Sequence, residues 1–177
     1  MIIIGCNAQP PGPGYDFGLF DNTPNQALAS AVNNENIDEI KKIAAEGNIK
    51  IDLQESKFGN SLLMLAVGIE KIISVKALLE AGANSSLRDF DNNAPISEAS
   101  KLVLHNSYST LYKMLKILIE HHADVNSVKR GTDTDSTHYE VPLSNTVGNF
   151  KCSELLLDNG ADPNFNLIIL TWYGLYY

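Results

Sequence analysis

Leu78-Leu79-Glu80-Ala81-Gly82-Ala83-Asn84 and Leu155-Leu156-Leu157-Asp158-Asn159-Gly160-Ala161-Asp162 share one grammar: an apolar pair, a short polar step, then Gly-Ala-Asp/Asn. A glycine just past an apolar helical stripe supplies the left-handed residue that ends a helix. The same ending occurs at Gly47 and, with a histidine in the glycine's place, at His122-Ala123-Asp124-Val125-Asn126. The terminators at 47, 82, 122 and 160 are separated by 35, 40 and 38 residues. A recurring unit of that length, with two short apolar stripes in each, predicts a solenoid of stacked helix pairs.

The stretches before each ending support this reading. Thr23-Pro24-Asn25-Gln26 predicts a helix start, with Thr23 as N-cap, Pro24 at the first helical position and Gln26 closing a capping box. Small residues follow from Ala27 to Ala31, then Ile37, Ile40 and Ile43-Ala44 at helical spacing. The second unit opens at Gly59-Asn60-Ser61-Leu62-Leu63-Met64-Leu65-Ala66 and continues with Ile72, Val75, Leu78 and Leu79. The third has Ala94-Pro95-Ile96-Ser97-Glu98-Ala99 and later Met114-Leu115-Lys116-Ile117-Leu118-Ile119. The fourth has Val141-Pro142-Leu143, then Gly148-Asn149-Phe150.

In this order, the Pro/Leu-Leu-x-x-Ala opening, the Val-x-x-Leu-Leu stripe and the Gly-Ala-Asp/Asn turn resemble the ankyrin repeat family across residues 22–164. The resemblance implies an all-α chain, an α-solenoid of about four ankyrin-type helix-turn-helix repeats at approximately 22–52, 53–87, 88–126 and 127–164. The departures are specific. No unit carries the family's full Thr-Pro-Leu-His opening, and His122 places a non-glycine residue where positive φ is expected. Ala66 to Gly82 spans 16 residues but Ala99 to His122 spans 23, so the third unit has a helix insertion around Ser100–Leu111. The finger loop from Val125 to Val141 is long, and the first helix of unit four reads short.

Composition narrows the function. The 177-residue chain has a formal net charge of −8, and no basic run exceeds two residues, as at Lys129-Arg130. That argues against nucleic acid as a partner. His121-His122 lacks the i,i+4 spacing of a helical metal pair, and Asp133-x-Asp135 lacks the glycine and terminal glutamate of a calcium loop. No nucleophile or phosphate-loop motif is present, so no catalytic residue, metal or cofactor is assigned and an enzyme is not expected.

The family resemblance implies a protein-interaction module that binds another protein through its concave face and finger loops. Interfaces favour aromatic and arginine side chains. The candidate partner-binding residues on the finger tips are therefore Arg88, Asp89, Phe90, Lys129, Arg130, His138 and Tyr139. The narrower alternatives are an immunity-type inhibitor of a bacterial toxin and a regulatory or accessory subunit of an envelope enzyme. The chain is expected to be monomeric by itself.

Both ends are unusual. Ile3-Ile4-Gly5-Cys6 resembles a bacterial lipobox, and the Pro10-Pro11-Gly12-Pro13-Gly14 run after it suits a tether, so residues 1–21 form a separate segment. Lipidation at Cys6 would hold the chain at the periplasmic side of a cell envelope; a cytoplasmic protein with a plain apolar arm is the alternative, since neither a basic n-region nor an apolar h-region precedes the motif. Residues 165–177, FNLIILTWYGLYY, form an apolar C-terminal tail. Cys152 has apolar neighbours in a helical pattern and is expected to be a small core residue.

Overall fold

The computed structural model describes residues 14–102, 108–130 and 139–164. The lipobox-like Cys6, residues 103–107 of the third-unit insertion, His138, the Asp133/Asp135 pair and the apolar tail from 165 onward lie outside the described residues.

The described helices form four antiparallel pairs: α1 (Gln26–Asn33) with α2 (Ile37–Ala45), α3 (Leu62–Gly68) with α4 (Ile72–Glu80), α5 (Pro95–Lys101) with α6 (Tyr108–Glu120), and α7 (Pro142–Asn145) with α8 (Phe150–Asp158). The first helices of successive pairs pack side by side as an inner layer, α1–α3–α5–α7, and the second helices as an outer layer, α2–α4–α6–α8. This is an α-solenoid of ankyrin-type repeats. Two insertions modify it. α6 has 13 residues where the other outer helices have nine, and α7 is reduced to four.

Helices this short are marginal in isolation, so their ends and their packing must hold them. Side-chain caps start several: Asn36 Oδ1 accepts from Glu39 N at 3.2 Å, Ser61 Oγ from Met64 N at 3.2 Å and Asn149 Oδ1 from Cys152 N at 3.3 Å. Proline occupies the first turn of α5 and α7.

The outer helices close on left-handed residues: Gly47 (φ 68°), Gly82 (94°), His122 (65°) and Gly160 (89°). After the last three, the following alanine N–H donates to a carbonyl five residues back at 3.0 Å in each case, namely Leu78, Leu118 and Leu156. The histidine thus takes the glycine's conformation, as the spacing predicts. A second set of left-handed residues turns the inner helix into the outer one, at Glu35, Glu70 and Gly148.

The Asp/Asn after each Gly-Ala step also has a reason. Asn84, Asp124 and Asp162 each accept through Oδ1 from the N–H two residues on, at 2.8–2.9 Å. The turns then link to one another: Asn84 N donates to Asp52 Oδ1 at 2.9 Å, and Asp162 N to Asn126 Oδ1 at 2.8 Å. Within the stack, Ser74 Oγ donates to Val32 O at 2.7 Å, joining the second pair to the first.

One apolar cluster runs through all four pairs, from Phe20 through Leu28, Ile40, Leu63, Leu78, Ile96 and Leu115 to Leu156. Ala29, Ala31, Ala66 and Ala99 are buried between neighbouring helices, while Ala27, grouped with them by sequence, is exposed. Cys152 is fully buried.

Two sequence expectations shift. α1 begins at Gln26, not Pro24; Thr23 Oγ1 still accepts from Asn25 N at 3.2 Å, but the Gln26 side chain reaches back to Asn22 N at 3.1 Å. Residues 14–21, grouped with the tether, are packed. Phe17–Phe20 form a 3₁₀ turn against α1, and Phe20 is fully buried. The proline/glycine run ends at Gly14, and the aromatic residues beyond it have enough apolar surface to hold the segment down.

Candidate partner-binding surface

The three loops joining one pair to the next form a row of fingers, each numbered by the helix pair it leads into. In the second finger, buried Glu55 accepts from Lys57 N (2.7 Å), Phe58 N (2.8 Å) and Asn60 N (2.9 Å), so one carboxylate shapes the whole bend. In the third, Asp89 accepts from Asn93 N and Asn93 Nδ2, both at 2.8 Å. Fingers two and three are stitched together by Phe90 N donating to Phe58 O at 3.0 Å and by Gln54 Nε2 donating to Arg88 O at 2.8 Å. The fourth finger is longer and carries a two-residue antiparallel ladder, β1 (Lys129–Arg130) with β2 (Tyr139–Glu140), in which Lys129 faces Glu140 and Arg130 faces Tyr139. Arg88 ties it to the third finger, with Nη1 donating to Asn92 O and Val128 O, each at 2.9 Å.

The predicted residues therefore divide. Arg88 and Asp89 are half-buried, with their polar groups committed to holding fingers in place. Phe90 is 65% exposed, yet its ring rests on the neighbouring finger at Gly59. Lys129 lies half-buried on the ladder, and Arg130 and Tyr139 are paired through the backbone beside it.

A second group, absent from the sequence reading, occupies the inside corner between the fingers and the inner helices. Tyr15 Oη donates to Glu98 of α5, and the Tyr15 ring lies against Gly68 at the end of α3. Burial, reinforced by the neighbouring Glu98 and Asp89 carboxylates, pushes the Tyr15 phenol above the usual tyrosine range, so it remains a donor. Glu98 sits 3.7 Å from Lys101 Nζ, which also lies 3.4 Å from Glu140 and donates to Asn93 Oδ1 at 3.2 Å. Asn60 Nδ2 donates to Gly14 O at 2.9 Å. The polar contacts run from the N-terminal segment across α5 to the fourth finger. The signal in the sequence was the aromatic spacing Tyr15, Phe17, Phe20, which the adjoining prolines and glycines obscured.

Among the described residues, no group of three metal-ligating side chains comes together, and no helix is long and apolar enough to cross a membrane.

Compared with known proteins, the chain matches no family model. It is 30% identical over 128 residues to human transient receptor potential cation channel subfamily A member 1, covering 72% of this chain and 10% of that protein. It is 28% identical over 122 residues to the ankyrin repeat, SAM and basic leucine zipper domain-containing protein 1 of Notamacropus eugenii, covering 63% of this chain and 25% of that one. The chain thus spans a quarter or less of the length of either relative. The stacked helix pairs, their left-handed turns and the likeness to a protein named for its ankyrin repeats agree, and the chain is an array of ankyrin-type repeats.

Proposed function

We propose that the chain is a protein-interaction module that docks a partner protein on its finger row, with Phe90 as the central anchor. The observation that carries this reading is the state of Phe90: a large aromatic ring, 65% exposed, held by one finger against another. A ring fixed before binding loses little conformational freedom on contact, and aromatic anchors of this kind dominate interface energies. Arg88 and Asp89 support the anchor by fixing the loop, and Arg88 also ties that loop to Val128, which precedes Lys129 on the next finger. The net charge of −8 favours a partner with a basic face.

The test places a photo-crosslinking phenylalanine analogue at position 90 of the full chain, and in a second chain at the exposed outer-helix position Ile73. A single partner captured from position 90 and not from position 73 supports the proposal. Capture from both alike, or none from position 90, refutes it. With the partner in hand, Phe90→Ser weakens the complex by roughly tenfold or more. An inhibitor abolishes the partner's activity in stoichiometric complex, whereas an accessory subunit modulates it.

A further inference from the structure

We propose that the corner between α3, α5 and the second finger is a tyrosine-accepting site, and that this chain's own residues 14–16 act as its built-in, displaceable occupant. The inference goes beyond finger docking and does not depend on Phe90.

The corner is shaped for an aromatic side chain. Gly68 ends α3, and a Cβ at that position would lie 2.1 Å from a ring carbon of Tyr15. The corresponding residues of the neighbouring inner helices are Asn33 in α1 and Lys101 in α5, so among these three helices α3 alone ends without a side chain at this position. Glycine weakens a helix, and here its compensation is the seat it leaves for the ring. The far end of the seat is chemically selective. The Glu98 side chain is only 14% exposed and receives the phenol on one oxygen, while Lys101, itself held by Asn93, lies 3.7 Å from the other. At the near end, buried Asn60 presents an amide donor to a backbone carbonyl, which is how an extended peptide is recognised. Ring space, a hydroxyl acceptor and a main-chain donor together fit an extended segment bearing a tyrosine.

The strap is placed to come and go. Its fixed point is Phe20, fully buried beside α1, with Phe17 and Leu19 partly buried against the same core, while Gly14 and Tyr15 reach the corner through the Tyr15 ring, one phenol bond, one amide bond and the neighbouring Phe58 ring. A partner supplying its own tyrosine would therefore compete with a tethered ligand present at high effective concentration.

The experiment titrates a labelled peptide of residues 10–17 into the full-length wild-type chain and into full-length Tyr15→Ala. The expected result is binding at least tenfold tighter to Tyr15→Ala, with a Tyr→Phe peptide binding more weakly than the tyrosine peptide. Adding Glu98→Gln to Tyr15→Ala should narrow the difference between the two peptides. Equal binding to wild type and Tyr15→Ala, or no binding to Tyr15→Ala at millimolar peptide, would overturn the proposal. As a check independent of Tyr15→Ala folding, Gly68→Val in the otherwise wild-type chain should speed amide exchange at Asp16–Gly18 while leaving α6 unchanged; unaltered exchange at the strap counts against the site. None of these readouts involves the partner captured through position 90, so the two readings fail separately.

Discussion

The ring of Phe90 covers Gly59 so closely that a Cβ added to that glycine would fall 2.4 Å from a ring carbon, and Gly59 also holds φ at +74°. Close approach and left-handed backbone coincide at one residue, so the second finger serves as the base on which the exposed anchor of the third rests. Gly59→Ala should cost about 1–3 kcal/mol, the range for strain at such a position. Chemical denaturation of the single variant and of Gly59→Ala/Phe90→Ala separates the two causes. In the double variant the ring is gone and the cost of the alanine should fall towards the backbone contribution of roughly 1 kcal/mol. Equal costs in both backgrounds would show that the ring does not press on the glycine.

Arg88 joins the third finger to the fourth by donating to Asn92 O and Val128 O. Arg88→Ala should lower stability by about 1–3 kcal/mol, as expected for hydrogen bonds from a charged donor. Arg88→Lys should recover only part of that, because a single ammonium lacks the planar fork. Hydrogen exchange should locate the loss at residues 127–130, leaving α3 and α4 protected; uniform loosening of the whole chain would contradict a local tie.

His122 holds φ at 65° where three sister turns have glycine. Replacing it by glycine removes the steric penalty of a Cβ in the left-handed region. His122→Gly should therefore raise stability by up to about 1 kcal/mol, and Gly82→Ala should lower it by a similar amount. Thermal melts of both variants provide the check. A loss of stability in His122→Gly would mean that the histidine side chain contributes more than its backbone strain removes.

Cys152 is fully buried in α8, and burial pushes its thiol above the usual range. In a Cys6→Ser chain, which leaves Cys152 as the one thiol, a thiol-specific reagent should react only as the fold opens. The reaction rate should rise with denaturant in step with unfolding. Rapid stoichiometric labelling in native buffer would contradict the packing.

Much of this architecture was legible in the chain before any coordinates. The unit length, the paired helices, the left-handed ends at Gly47, Gly82, His122 and Gly160, and the burial of Cys152 all follow from apolar spacing and turn chemistry among near neighbours. Such signals are local: a glycine or asparagine acts on the helix beside it, and an apolar stripe declares its own buried face. The finger tips could be named for the same reason, as polar loops between two periodic segments.

Only the stacked structure decided what the side chains of those tips touch. Arg88 and Asp89 read as candidate partner-binding residues, and in the structure their donors and acceptors are committed within and between fingers. Tyr15 and Glu98 are separated by 83 residues, and no pattern in either neighbourhood announces the other. Their meeting requires the second and third repeats to stack in one register, the 3₁₀ turn to anchor on α1, and Gly68 to leave room for a ring. Periodicity determines that the helix pairs form and repeat. The side chains that fill the space between one pair and the next depend on the geometry of stacking, which is a property of the assembled array.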